Sequence, residues 1–174
     1  VSRHAKDAAK GVNAIVRLAK ALRKFSDHPT LQFIADAVGE DATGSSLFGL
    51  ITDQASGDLS FNIAGLTLTQ ELSEIRLDIR IPVLADKEEL VKVLSEKAAA
   101  YGLDYEEFDY LASLYVPLDS SLVSTLMSVY QEKTGDRTPA KSSGGATFAR
   151  TMPNCVAFGA CFPDGLQTEH QENE

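Results

Sequence analysis

A few side chains in this sequence have the type and setting to do chemistry. His170 lies among Glu169, Glu172 and Glu174 in the stretch TEHQENE. An imidazole among carboxylates suits a zinc or manganese ligand, a general base, or simply a solvated acidic stretch. His4 follows an extended start and precedes a loop, a place where site residues accumulate. His28, just before Pro29, reads as the start of a short helix. Gly144 and Gly145, in SSGGATFAR, allow a ligand close to the backbone and could open a short helix. No G-K-[ST] follows them, so the stretch is not a phosphate-binding loop of the Walker type. Arg80 stands on the polar side of a regularly alternating segment. It could pair with Asp78 or Glu74, or grip a ligand carboxylate with both arms of its guanidinium. Cys155 and Cys161 lie in the apolar NCVAFGACF without a neighbouring His, a poor zinc pattern that predicts buried free thiols. No local signature of a Ser-His-Asp or Cys-His arrangement is present.

The background against which these residues act is an ordinary globular one. The 174 residues are 44% hydrophobic and 24% charged, with a net charge of −9. That charge argues against nucleic-acid partners, whose binding needs Lys and Arg to displace counterions, and against an anionic membrane surface. No apolar run of about 18 residues exists to span a bilayer. The charged opening VSRHAKDAAKG does not resemble a signal peptide. With no disulfide framework, the expected compartment is cytoplasmic.

Periodicity then supplies the elements that would position those side chains. Val12, Ile15, Val16, Ala19 and Leu22 recur at helical spacing between Gly11 and Lys24. A second, short helix is expected from Pro29 to Val38, ended by Gly39. Residues 39 to 58, rich in Gly, Ser and Asp, read as loop with one short extended piece. Two strands follow, one through Leu59, Phe61 and Ile63, the other from Ile75 to Val83 with Glu74, Arg76, Asp78 and Arg80 on its polar side. Asp86 and Glu89 form a D-x-x-E cap on a helix that runs to Tyr101 and stops at Gly102. Phe108 to Val116 is apolar enough for a strand. With an extended Val1 to His4, the order is β-α-(α)-β-β-α-β, an α+β, ferredoxin-like two-layer arrangement over residues 1–116. Residues 117–174 predict one amphipathic helix, Asp119 to Lys133, and an apolar strand in VAFGACF, too little for a core of their own.

These separate signals fall in the order and spacing of one family. SRHAKDAAKGVNA resembles the lid-domain start of dinuclear-zinc aminoacylase/carboxypeptidase-type metallopeptidases, specifically PepV-type dipeptidases. DIRIPV is similar to their D/N-I-R-Y-P-V strand, and SSGGATFART to their G-G-A-T-Y-A-R segment. VAFGACFPDGLQTEHQENE resembles V-A-F-G-x-x-F-P-G…H-Q-x-N-E. Ala8 stands where Pro is usual, and Ile81 and Phe148 where Tyr is common.

The resemblance implies a lid domain over residues 1–116 and part of an α/β catalytic segment over 117–174. It implies that His170 is a zinc ligand and that His4 steadies the oxyanion of a tetrahedral intermediate. Arg80 would bind the C-terminal carboxylate of a dipeptide, with the backbone at Gly145 and Ala146 completing substrate binding. A metal-bound water would attack the peptide carbonyl. The family's H-x-D, bridging Asp and E-E motifs are not in this sequence. The chain is therefore expected to be an excised lid with a partial catalytic segment, lacking its N-terminal catalytic partner. Such a piece should be inactive alone and hold less than full zinc, where the parent would hold two ions. Two rivals stay open: an amidohydrolase or deacylase of the same family acting on N-acyl amino acids, and a stand-alone dimerisation or binding module. Self-association of the chain, as a homodimer, is expected from the surface that the missing domain would cover.

Overall fold

The computed structural model describes residues 11–159. The first predicted helix is present as α1, Ala14–Leu22. Asn13 starts it: its side-chain oxygen accepts from the N–H groups of Ile15 and Val16 at 2.9 and 3.4 Å, donors that a first turn otherwise leaves open. His28 does the same for α2, Pro29–Gln32, where its Nδ1 accepts from the Thr30 N–H at 3.3 Å. The role read for His28 in the sequence, the start of a helix, is the one it has. From Phe33 to Val38 the backbone continues as a π-helix that ends at Gly39, whose φ of 68° suits glycine.

Residues 39 to 58 are more ordered than their composition suggests. They hold α3, Ser45–Phe48, and a two-residue ladder of β1, Thr52–Asp53, with β2, Gly57–Asp58. The Asp and Ser residues that read as loop formers are the ones that stitch these short pieces together. Asp41 accepts from the N–H and hydroxyl of both Thr43 and Ser45 at 2.6 to 2.9 Å. Asp53 accepts from Ser56 and, across to the next turn, from the Leu84 N–H at 3.0 Å.

The two predicted strands are present and pair as a hairpin. β3, Ser60–Leu68, pairs antiparallel with β4, Ser73–Arg80, in a register running from Ser60 opposite Arg80 to Leu68 opposite Ser73, with a bulge between Ile63 and Gly65. Phe61 and Ile63 are buried, and Ile75, Leu77 and Ile79 pack partly covered against the same cluster. β4 ends at Arg80 rather than at the predicted Val83, because Pro82 brings no N–H to a ladder. α4, Lys87–Ala99, is capped by Asp86, whose carboxylate accepts from Glu88 and Glu89 N–H groups at 2.9 and 3.3 Å. Leu90, Leu94 and Ala98 form its buried stripe. Together with Val16, Ala19, Leu31, Phe33, Ile34, Val38, Leu47 and Leu59, these residues make one core.

The expected strand from Phe108 to Val116 is not seen as a strand among the described residues, although Leu111 and Ala112 do have interaction partners. Among the described residues, 104–117 carry no ladder, and Phe108 and Leu111 are 77% and 60% exposed. What ties this segment to α4 is Lys87, whose Nζ lies 2.9 Å from the Glu107 carboxylate and 4.1 Å from the centre of the Tyr110 ring. The predicted first strand, Val1 to His4, lies outside the described residues. The architecture is therefore α+β, with two small antiparallel sheets among the described residues.

The chain divides into two compact units, one of Val1–Ser113 with Ser143–Gly145, the other of Leu114–Ser142 with Ala146–Glu174. In the second unit α5, Ser121–Thr134, is the predicted amphipathic helix. The Ser120 hydroxyl caps it and Gly135, at φ 74°, closes it. The Tyr130 hydroxyl donates to Asp136 at 2.7 Å. A short 3-10 helix covers Phe148–Thr151. Val156 to Gly159, the described part of the predicted VAFGACF strand, is not in a ladder, and Cys155 is half-buried rather than buried. No helix among the described residues is long and apolar enough to cross a membrane.

Candidate functional site

Of the predicted site residues, Arg80 is the one whose side chain is fully described by its contacts. It is the last residue of β4, where the strand's polar face meets the turn at Pro82. Asp78 lies two positions earlier on the same face, as the alternation of a strand requires. Its carboxylate receives the guanidinium side-on: Nε donates to Oδ1 at 2.8 Å and Nη2 to Oδ2 at 2.9 Å. Of the two carboxylates offered by the sequence, the structure selects Asp78. Glu74 is three alternations away and meets Arg76 instead, at 3.5 Å.

The remaining terminal nitrogen of Arg80 reaches much further along the chain. Nη1 donates to the carbonyl oxygen of Gly144 at 3.1 Å, across 64 residues of sequence. Ser143–Gly145 belong to the same unit as β4. Two segments singled out independently, DIR and SGG, thus meet at one side chain. Three of the five guanidinium donors are used in this way. One N–H on Nη1 and one on Nη2 have no protein acceptor among the described residues. The Arg80 side chain is 32% and that of Asp78 34% exposed, so the pair is open to an incoming ligand. A guanidinium held by Asp78 and Gly144 with one donor open on each terminal nitrogen is suited to a carboxylate.

Gly145 is half-buried, and its N–H donates to the Ser143 hydroxyl at 3.1 Å. Ala146 is exposed and falls in the second unit. His4 and His170 lie outside the described residues. Among the described residues no group of three or more His, Cys, Asp or Glu side chains is placed to hold a metal ion. The zinc site that the resemblance implies is not built from them.

A cleft of about 250 Å3 lies elsewhere, beside the start of α1, lined by Asn13, Glu40, Asp41, Thr43 and Asn62 among others. Its polar groups are largely satisfied by one another. The Asn13 amide donates to the Asn62 side chain at 3.1 Å and to the Ile63 carbonyl at 2.8 Å. Glu40 meets Lys20 at 3.3 Å. Burial opposes ionisation of Asp41, but hydrogen bonds from Ser45 and Thr43 outweigh it and hold the carboxyl down to about 2. The cleft therefore reads as a structural joint between α1, the loop after Gly39 and β3. Sequence reasoning passed over Asn13, although an Asn directly before an amphipathic helix is a recognised capping signal. No local signal could have shown the contact of Arg80 with Gly144.

No protein-family model matches the chain. It is 30% identical over its whole length to a Bacillus subtilis protein named "Putative dipeptidase YtjP", of which it spans 38%. It is 26% and 28% identical, over 98% of its length, to proteins of Staphylococcus haemolyticus and Staphylococcus saprophyticus that also carry the name dipeptidase. It spans 38% of each of these as well.

Proposed function

We propose that the chain is the lid domain, residues 1–116, and part of the catalytic segment, residues 117–174, of a zinc-dependent dipeptidase. The observation that carries this reading is the Arg80 site. A guanidinium fixed by Asp78 and touching the Gly144 carbonyl retains donors for a free C-terminal carboxylate, a group that dipeptides and N-acyl amino acids share. The similarity to proteins named dipeptidases supports the dipeptide as substrate.

In this proposal Arg80 recognises the carboxylate, and the backbone at Gly145 and Ala146 binds along the substrate. His4 steadies the oxyanion, and His170 is one ligand of the zinc. The donors for that metal are not found among the described residues. The part played by the described residues is recognition of the substrate.

Hydrolysis by the whole protein tests the reading. A dipeptide should yield its two free amino acids, with chelation abolishing the activity and added zinc restoring it. A whole protein that leaves dipeptides intact while cleaving N-acyl amino acids would be the related deacylase instead.

A further inference from the structure

We infer that Asp78 is a positioning residue for carboxylate recognition, acting through Arg80; this rests on the proposed role of Arg80. Asp78 occupies the Nε and Nη2 edge of the guanidinium with both of its oxygens. That arrangement fixes the plane of the group, because two parallel bonds leave it no freedom to turn. Gly144 takes one donor of Nη1, so the donors left for a ligand are one on each terminal nitrogen. A carboxylate is thereby met by one N–H of each terminal nitrogen and not by the Nε edge.

The opposite role is conceivable on charge alone. An aspartate beside an arginine neutralises it and would compete with an anionic ligand. Two facts decide against competition. Asp78 and the ligand use different donors of the guanidinium, so neither displaces the other. The pair is also about a third exposed, so solvent screens the repulsion between the two carboxylates. An arginine without its partner keeps its charge but loses its aim, and a long flexible side chain must then be ordered at binding. The two roles predict opposite signs for removal of Asp78.

The experiment uses the whole protein and a matched pair of substrates, a dipeptide and its C-terminal amide. KM is measured for wild type, Arg80→Lys, Asp78→Ala and Asp78→Asn, with thermal melts to confirm folding. Wild type should favour the acid over the amide in KM. Asp78→Ala should raise KM for the acid about ten-fold with a smaller change in kcat, so that the preference collapses as it does in Arg80→Lys. Asp78→Asn, which keeps one acceptor oxygen, should fall between wild type and the alanine variant. If Arg80→Lys loses the preference while both Asp78 variants keep it, or bind the acid more tightly, the positioning role is overturned and the Arg80 reading stands. If Arg80→Lys keeps the preference, or wild type has none, the Arg80 reading fails and takes this inference with it.

Discussion

Asp41 shows what a single carboxylate does for this fold. Four hydrogen bonds from Thr43 and Ser45 favour its ionised form against the cost of burial, and its pKa falls from 3.8 to about 2. A group whose pKa is depressed on folding adds stability above its unfolded value, and that stability is lost as pH falls through the folded value. Asp41→Asn should therefore be less stable than wild type at neutral pH, and the gap should close between about pH 4 and pH 2. Denaturant melts of both proteins across that range measure it; a gap that is constant with pH would contradict the assignment. Arg80 marks how far residue-level reading reaches. Its candidate partners were visible, because strand alternation places Asp78 beside it. The choice between Asp78 and Glu74, and the bond to Gly144, depend on the hairpin and on a segment 64 residues away.

At the level of elements, strong local signals were legible and weak ones were not. α1, α4 and α5 each combine an apolar stripe with a capping side chain, Asn13, Asp86 and Ser120, so periodicity and chemistry agree. α3 has four residues and no stripe; it exists because Asp41 holds its start and the loop folds back on the core. Phe108 to Val116 has strand composition but carries no ladder among the described residues. Asn13 links two elements, capping α1 and holding the Ile63 carbonyl of β3. Asn13→Ala removes both contacts and should cost about 1–3 kcal/mol in chemical denaturation. Asn13→Asp, which keeps the cap but not the amide donor, should cost less. Ile34, fully buried in the π-helical segment, tests the core itself: Ile34→Ala should destabilise by about 2–5 kcal/mol.

At the scale of the molecule, the core and nearly all of the buried apolar residues among the described ones belong to the first unit; in the second, the buried ones among the described residues are Val123 and Ala149. The sequence gives residues 117–174 one helix and one apolar stretch, an expectation of little enclosed surface. It could not supply the metal site, whose proposed ligand His170 lies outside the described residues. Elemental analysis of the 174-residue chain should find zinc well below one ion per chain, and sedimentation should show self-association at high concentration. Stoichiometric zinc would contradict the first expectation, and a clean monomer the second. The central claim concerns substrate class, and it is most directly tested by kcat/KM of the whole protein for a dipeptide and for an N-acyl amino acid in the same zinc-containing buffer. The account predicts a preference for the dipeptide of at least about ten-fold, a difference of about 1.4 kcal/mol in transition-state binding. Equal values, or a preference for the acylated substrate, would contradict it.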